Sequence, residues 1–104
     1  MVEIIWSLKA YEDYKGIVEF IALDSEHYAS LTAKKIWKEI KRIEHNPKEA
    51  RKVPEAGYLD EIREFILGPY RIIFQIKEDK AYLLMFISAQ KYTSVSLQKY
   101  TIFN

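Results

Sequence analysis

The sequence predicts an α+β fold of the order β-α-α-β-β-β, an antiparallel sheet with a helical hairpin packed on one face. Three observations predict it. Apolar residues recur at helical spacing over residues 8–43, β-rich stretches flank this region, and Gly68-Pro69 separates two of those stretches. With 104 residues, 49% of them apolar, the chain is sized for a single domain over residues 1–104.

The N-terminal half predicts one strand and two helices. Val2–Trp6 is short and β-rich, which predicts the first strand. The first helix is expected over residues 8–23, and the second ends at Asn46-Pro47, where proline stops it. Because the link between the helices is short, we expect an antiparallel hairpin. Residues that can cap the two helices precede them: Ser7, Asp24 and Ser25.

The second helix has the clearest pattern. Its apolar residues step by three and four, which predicts one buried stripe: Ala29, Ala33, Ile36, Ile40 and Ile43. Lysines and an arginine occupy its other sides. Such a basic run could contact nucleic acid, but it is more typical of the solvated face of an amphipathic helix.

The C-terminal half predicts a loop, three strands and a tail. Lys48–Asp60 contains Pro54 and Gly57 and has no periodic apolar pattern, so we expect a loop. The tail, residues 90–104, fits either a short helix or an extended edge segment. The predicted strands are Glu61–Leu67, Tyr70–Ile76 and Ala81–Ala89, the last apolar enough for burial on both faces.

Composition disfavours several classes of function. The chain has no cysteine, and His27 and His45 are far apart, so we expect neither a cofactor nor a metal site. No apolar run approaches the roughly 18 residues of a membrane span, and the N-terminus has no signal-peptide pattern. We therefore expect a cytoplasmic protein. The net charge of +1 is weak for a dedicated nucleic-acid binder, although residues 34–52 carry eight Lys or Arg against three Glu.

Several segments, in order, resemble the RelE/ParE superfamily of toxins from type II toxin–antitoxin systems. The strongest is I-R-E-F-I-L-G-P-Y-R-I-I-F, residues 62–74. The others are W-S-L-K-A-Y-E-D-Y (6–14), the basic helix ending in N-P (46–47), V-P-E (53–55) and S-A-Q-K (88–91). The G-P-Y-R form is more similar to the ParE-like plasmid-stabilisation toxins than to RelE.

The resemblance implies a growth-inhibiting toxin with a cognate antitoxin as partner, in a possible hetero-oligomer. ParE-like members bind and poison DNA gyrase, which makes a non-enzymatic toxin our leading hypothesis. RelE-like members cut messenger RNA on the ribosome, so a ribosome-dependent endoribonuclease is the alternative. A second alternative is an inactive relic that only binds an antitoxin. The chain has no late aromatic residue of the RelE kind, because the corresponding stretch reads Ser96-Leu97.

The candidate site residues come from the same segments. If the chain is a ribonuclease, Arg71, Lys91 and Glu64 are the candidate catalytic residues, since RNA cleavage needs cations on the phosphate and a proton acceptor. If it inhibits by binding, Arg63, Arg71, Tyr70 and Lys91 are expected to face the target or the antitoxin.

The hairpin turn decides which of these side chains meet. A two-residue type II′ loop at Gly68-Pro69 pairs Ile66 with Arg71, so Arg71 and Glu64 become diagonal neighbours on one face. Arg63 then points to the opposite face. A one-residue bulge would instead place Arg63 beside Arg71, and the sequence leaves both registers open.

Overall fold

The structure is a computed structural model that describes residues 1–57, 59 and 61–88, so the predicted tail lies outside the described residues. The described elements confirm the order predicted for the strands and helices. No helix in these ranges is long and apolar enough to cross a membrane. The elements are β1 (Glu3–Trp6), α1 (Leu8–Asp24), α2 (Glu26–His45), β2 (Arg51–Lys52), β3 (Ile62–Leu67), β4 (Tyr70–Lys77) and β5 (Lys80–Ser88).

Both helices begin at the serine caps. The Ser7 hydroxyl oxygen accepts a hydrogen bond of 3.0 Å from the amide of Ala10, and the Ser25 hydroxyl oxygen accepts one of 3.1 Å from the amide of Tyr28. α2 ends directly before Asn46-Pro47, as the proline predicts. Four residues of its predicted stripe are fully buried: Ala29, Ile36, Ile40 and Ile43.

The sheet corrects two expectations. It is mixed rather than purely antiparallel, because β1 lies parallel to β5 at the edge of the order β1-β5-β4-β3-β2. The chain between β1 and β5 contains two helices and three strands, far more than the roughly one dozen residues that a parallel connection needs. The expected loop Lys48–Asp60 also contains β2, which pairs with β3, and two short 3₁₀ turns, Pro47–Glu49 and Pro54–Ala56.

Alternation along β3 and β4 gives the sheet two different faces. On the helix face, apolar side chains of the sheet pack against both helices and form the larger core, which includes Ala10, Ile36, Ile40, Phe65, Ile72 and Phe74. The opposite side is here called the far face. It holds a smaller apolar cluster of Val53, Ile62, Ile73, Leu84 and Met85.

Candidate functional site

The β3–β4 hairpin has the two-residue loop rather than the bulge. Gly68 has φ +58°, the left-handed value that the first position of a type II′ turn requires and that glycine adopts without strain. Ile66 pairs with Arg71, and Glu64 pairs with Ile73. Of the two registers that the sequence leaves open, the structure therefore has the one without a bulge. This register places Arg71 and Glu64 on one face of the sheet, the far face.

A chain of four charged side chains lies on this face, here called the far-face network: Arg51, Glu64, Arg71 and Glu55. Arg71 Nε donates to Glu64 Oε1 at 2.5 Å, and Arg51 Nε donates to Glu64 Oε2 at 2.5 Å. The two terminal nitrogens of Arg71 donate to the two carboxylate oxygens of Glu55, both at 2.8 Å. The planar guanidinium suits such paired bonds, which are stronger than those between neutral groups.

Glu55 enters the network through the turn between β2 and β3. Pro54 begins the 3₁₀ turn Pro54–Ala56, and Gly57 ends it with φ +69°. Val53 anchors the turn, because its side chain is fully buried in the far-face cluster and its amide donates to the carbonyl of Ile62 at 3.3 Å. Sequence reasoning assigned no role to Glu55, although the V-P-E segment that carries it was among the family motifs.

Arg51 is the other member that sequence reasoning missed. It lies directly opposite Glu64 in the β2–β3 pairing. The sequence does not indicate a strand here, because β2 has only two residues and no alternating apolar pattern. Direct cross-strand pairs of opposite charge stabilise sheets, so the identification of β2 would have predicted this contact.

Burial and charge work in opposite directions in the far-face network. The Glu64 side chain is 0% exposed and the Arg71 side chain is 5% exposed, so each charge requires a partner. The hydrogen bonds with Glu55, and then those with Glu64, raise the pKa of Arg71 above its ordinary value although burial lowers it. The same hydrogen bonds hold the pKa of Glu55 below its ordinary value, against the opposing effect of burial.

Arg63 and Tyr70 lie on the other side of the sheet. Arg63 is 9% exposed, and its Nη1 donates to the carbonyl oxygens of Lys48 and Ala50 at 3.2 and 2.8 Å. These bonds tie the chain after α2 to β3. Tyr70 shares the parity of Ile72 and is half-buried. The hairpin therefore separates Arg63 and Tyr70 from Arg71.

Lys91 and the Ser96-Leu97 stretch lie outside the described residues. Of the predicted catalytic set, the described part of the chain brings together only Glu64 and Arg71. Within residues 1–57, 59 and 61–88, no group of three or more His, Asp or Glu side chains could hold a metal ion. The far-face network thus consists of two guanidinium groups and two carboxylates that hydrogen-bond to one another.

Comparison with known proteins agrees with this fold. A solved structure described as the chromosomal ParDE toxin–antitoxin system from P. aeruginosa has a chain that is similar to this one, with a TM-score of 0.70. The likeness covers 86% of this chain and 98% of that chain at 18% sequence identity. No curated protein sequence matches the chain. The family model of the ParE toxin of the parDE type II toxin–antitoxin system matches residues 4–91. This chain therefore belongs to the ParE toxin family, and it is the toxin component of a type II toxin–antitoxin system.

Proposed function

We propose that this toxin acts in the cytoplasm by binding DNA gyrase and inhibiting it without an enzymatic reaction of its own. The observation that carries the proposal is the closure of Arg71 between two carboxylates. Family membership supports gyrase as the target, because ParE-like toxins poison DNA gyrase.

The geometry of Arg71 disfavours the ribonuclease alternative. A cation that stabilises a phosphate in the transition state must point at the place where charge develops. Three N–H groups of Arg71 already donate to Glu64 and Glu55, and the side chain is 5% exposed. Glu64 is no better placed as a base, since both of its oxygens accept from arginines and its side chain is 0% exposed.

Exposed neighbours of the far-face network are the side chains that a partner reaches first. Ile66, directly opposite Arg71 in the hairpin, is 50% exposed, and the Arg51 side chain is 57% exposed. We propose that these two contact the target. The partner-facing roles of Arg63, Arg71, Tyr70 and Lys91 stay predictions, and contact with Arg71 would require Glu55 to move away.

We also propose a cognate antitoxin that extends the sheet. Both edge strands are short, four residues in β1 and two in β2, and an edge strand offers backbone groups to an added strand. Hydrogen exchange of the toxin–antitoxin complex tests this. Slower exchange in β1 or in the β2–β3 segment supports it. A complex that protects neither an edge strand nor a sheet face contradicts it.

A supercoiling assay with purified gyrase and relaxed plasmid tests the target. We expect inhibition at micromolar toxin, and at least a tenfold weaker effect for Ile66→Asp. Leu23→Asp is the matched control, because Leu23 is an exposed aliphatic residue on α1, away from the far face. Its inhibition should stay within about threefold of the wild type.

Other outcomes would replace the proposal. No inhibition at micromolar toxin rules out gyrase as the target. Primer extension on translated messages then tests for ribonuclease activity. Codon-phased cuts that disappear in Arg71→Ala would establish the ribosome-dependent ribonuclease. Harmless overexpression without an antitoxin would instead identify an inactive relic.

A further inference from the structure

The outer side of α2 carries a cluster of cations that the proposed function does not use. This basic face of α2 is defined by Lys34, Lys35, Lys38, Lys41 and Trp37, all of them exposed. Between Ser30 and Lys41, no exposed residue of α2 is acidic. Glu39, the acid within this stretch, has a side chain that is only 15% exposed.

The acids near the basic face bind another residue. Glu39 accepts from Arg42 at 2.9 Å, and Glu49 lies 3.9 Å from the same guanidinium. Arg42 also lies over the Phe65 ring, with its guanidinium carbon Cζ 4.4 Å from the ring centroid. Within the part of the chain that the structure describes, none of the four lysines has a salt-bridge partner. Glu39 and Glu49 thus bind Arg42, and among the described residues the four lysines have no ionic partner within salt-bridge distance.

Helical spacing aligns the cations. Lys34, Lys38 and Lys41 follow one another by four and three residues, so they project from one side of a rigid helix. At about 1.5 Å per residue they span roughly 10 Å of the axis. Duplex DNA presents one negative charge per about 1.7 Å, or roughly six phosphates over that length.

Trp37 lies between these lysines. Its indole N–H donates to the Tyr14 hydroxyl at 3.1 Å, and its ring contacts Trp6 at 5.6 Å between centroids, so its orientation is held. It remains half-exposed. Lys34 and Lys41 lie one turn before and after it on the same side. A single held aromatic does not offer the series of stacking platforms that single-stranded nucleic acids use.

We propose that the basic face of α2 binds the phosphate backbone of duplex DNA. The contact is electrostatic and independent of base sequence, because lysines bind phosphates as point charges. The surrounding surface orients it: residues 1–33 carry two Lys against six Asp or Glu, including the exposed Glu12 and Glu19 of α1. DNA therefore lies along α2 and away from α1. This inference does not depend on gyrase being the target.

Fluorescence anisotropy with the purified full-length chain and a labelled random duplex tests the inference. With about four phosphate contacts, the logarithm of affinity should fall against the logarithm of salt with a slope near −3.6. Affinity should therefore drop about a hundredfold between about 50 and 200 mM salt. Lys38→Glu/Lys41→Glu should bind at least tenfold more weakly at low salt, with roughly half the slope.

The matched control is Lys77→Glu/Lys80→Glu, which changes the net charge equally. These lysines pair with each other at the β4–β5 turn, on the strand parity of the far face. The affinity of this double variant for the duplex should stay within about threefold of the wild-type affinity. Circular dichroism and thermal melting check that both variants fold. Trp37→Phe should retain affinity, and the change in tryptophan emission on DNA addition should be smaller than in the wild type because only Trp6 remains.

Four results would overturn the inference. The first is no duplex binding at low salt up to about 100 µM toxin, and the second is an equal loss of affinity in the two double variants. The third is single-stranded RNA of the same length bound at least tenfold more tightly than the duplex, which would indicate an RNA site. The fourth is α2-dependent binding to phosphatidylserine vesicles without duplex binding, which would indicate an anionic membrane surface.

Discussion

The two faces of the sheet each bury an arginine from the same hairpin, and they satisfy it in different ways. On the helix face, Arg63 donates to the backbone carbonyls of Lys48 and Ala50. On the far face, Arg71 donates to the carboxylates of Glu64 and Glu55. Residue parity alone separates them, because successive strand residues point to opposite faces.

The two arginines therefore differ in how their contacts respond to pH and to new partners. Backbone carbonyls do not titrate, so the contact of Arg63 holds the chain after α2 in place at any pH at which the fold persists. Carboxylates titrate and can exchange partners. Because its hydrogen bonds with Arg71 lower the pKa of Glu55, the contribution of Glu55 to stability depends on pH.

The largest effect is expected from Glu64→Ala. It removes the carboxylate that accepts from Nε of the buried Arg71, and it also removes the contact with Arg51. Breaking a buried ion pair from one side typically costs about 3–5 kcal/mol. Urea unfolding with the wild type as reference measures it. A loss below about 1 kcal/mol would mean that the network does not stabilise the far face.

Arg63→Met should have the next largest effect. Methionine keeps most of the apolar stem but removes the donors to two carbonyls, at an expected cost of about 2 kcal/mol. Urea unfolding at pH 7, with the wild type as reference, measures the loss. A cost below about 0.5 kcal/mol would mean that these two contacts do not hold the chain after α2 against β3.

Glu55→Gln should cost about 1 kcal/mol at pH 7, because Glu55 is only partly buried. Its pKa lies below the ordinary value of 4.5, so its stabilising effect is present above that value and is lost as the pH falls through the lowered pKa. Thermal melting across pH should therefore show the wild type and the variant converging as the pH falls below 4.5. Parallel curves down to pH 3 would contradict an ionic contact with Arg71.

Arg51→Met should have the smallest effect, below about 1 kcal/mol. Its side chain is well exposed, so water screens its bond to Glu64. The loss should shrink further in high salt. A cost as large as that of Glu64→Ala would mean that Arg51, rather than Arg71, is the main partner of the buried carboxylate.

Local patterns were sufficient for much of the site. The Gly68-Pro69 turn predicted a hairpin with two possible registers, and the one observed is the register in which Glu64 and Arg71 meet. Glu55 and Arg51 escaped prediction because they lie in a segment without periodicity, 16 and 13 residues away from their partners. A loop has no repeating geometry from which side-chain directions follow.

By itself, the sequence determined the elements and their faces. Serine caps, the apolar stripe of α2 and the alternation of β3 and β4 are local properties, set by backbone geometry within a few residues. Only the tertiary structure decided that β1 lies parallel to β5, that Glu55 binds Arg71, and that Glu39 and Glu49 bind Arg42 rather than the lysines of α2. Each of these depends on where distant segments meet when the cores on the two faces close, and no pattern within one element specifies that meeting.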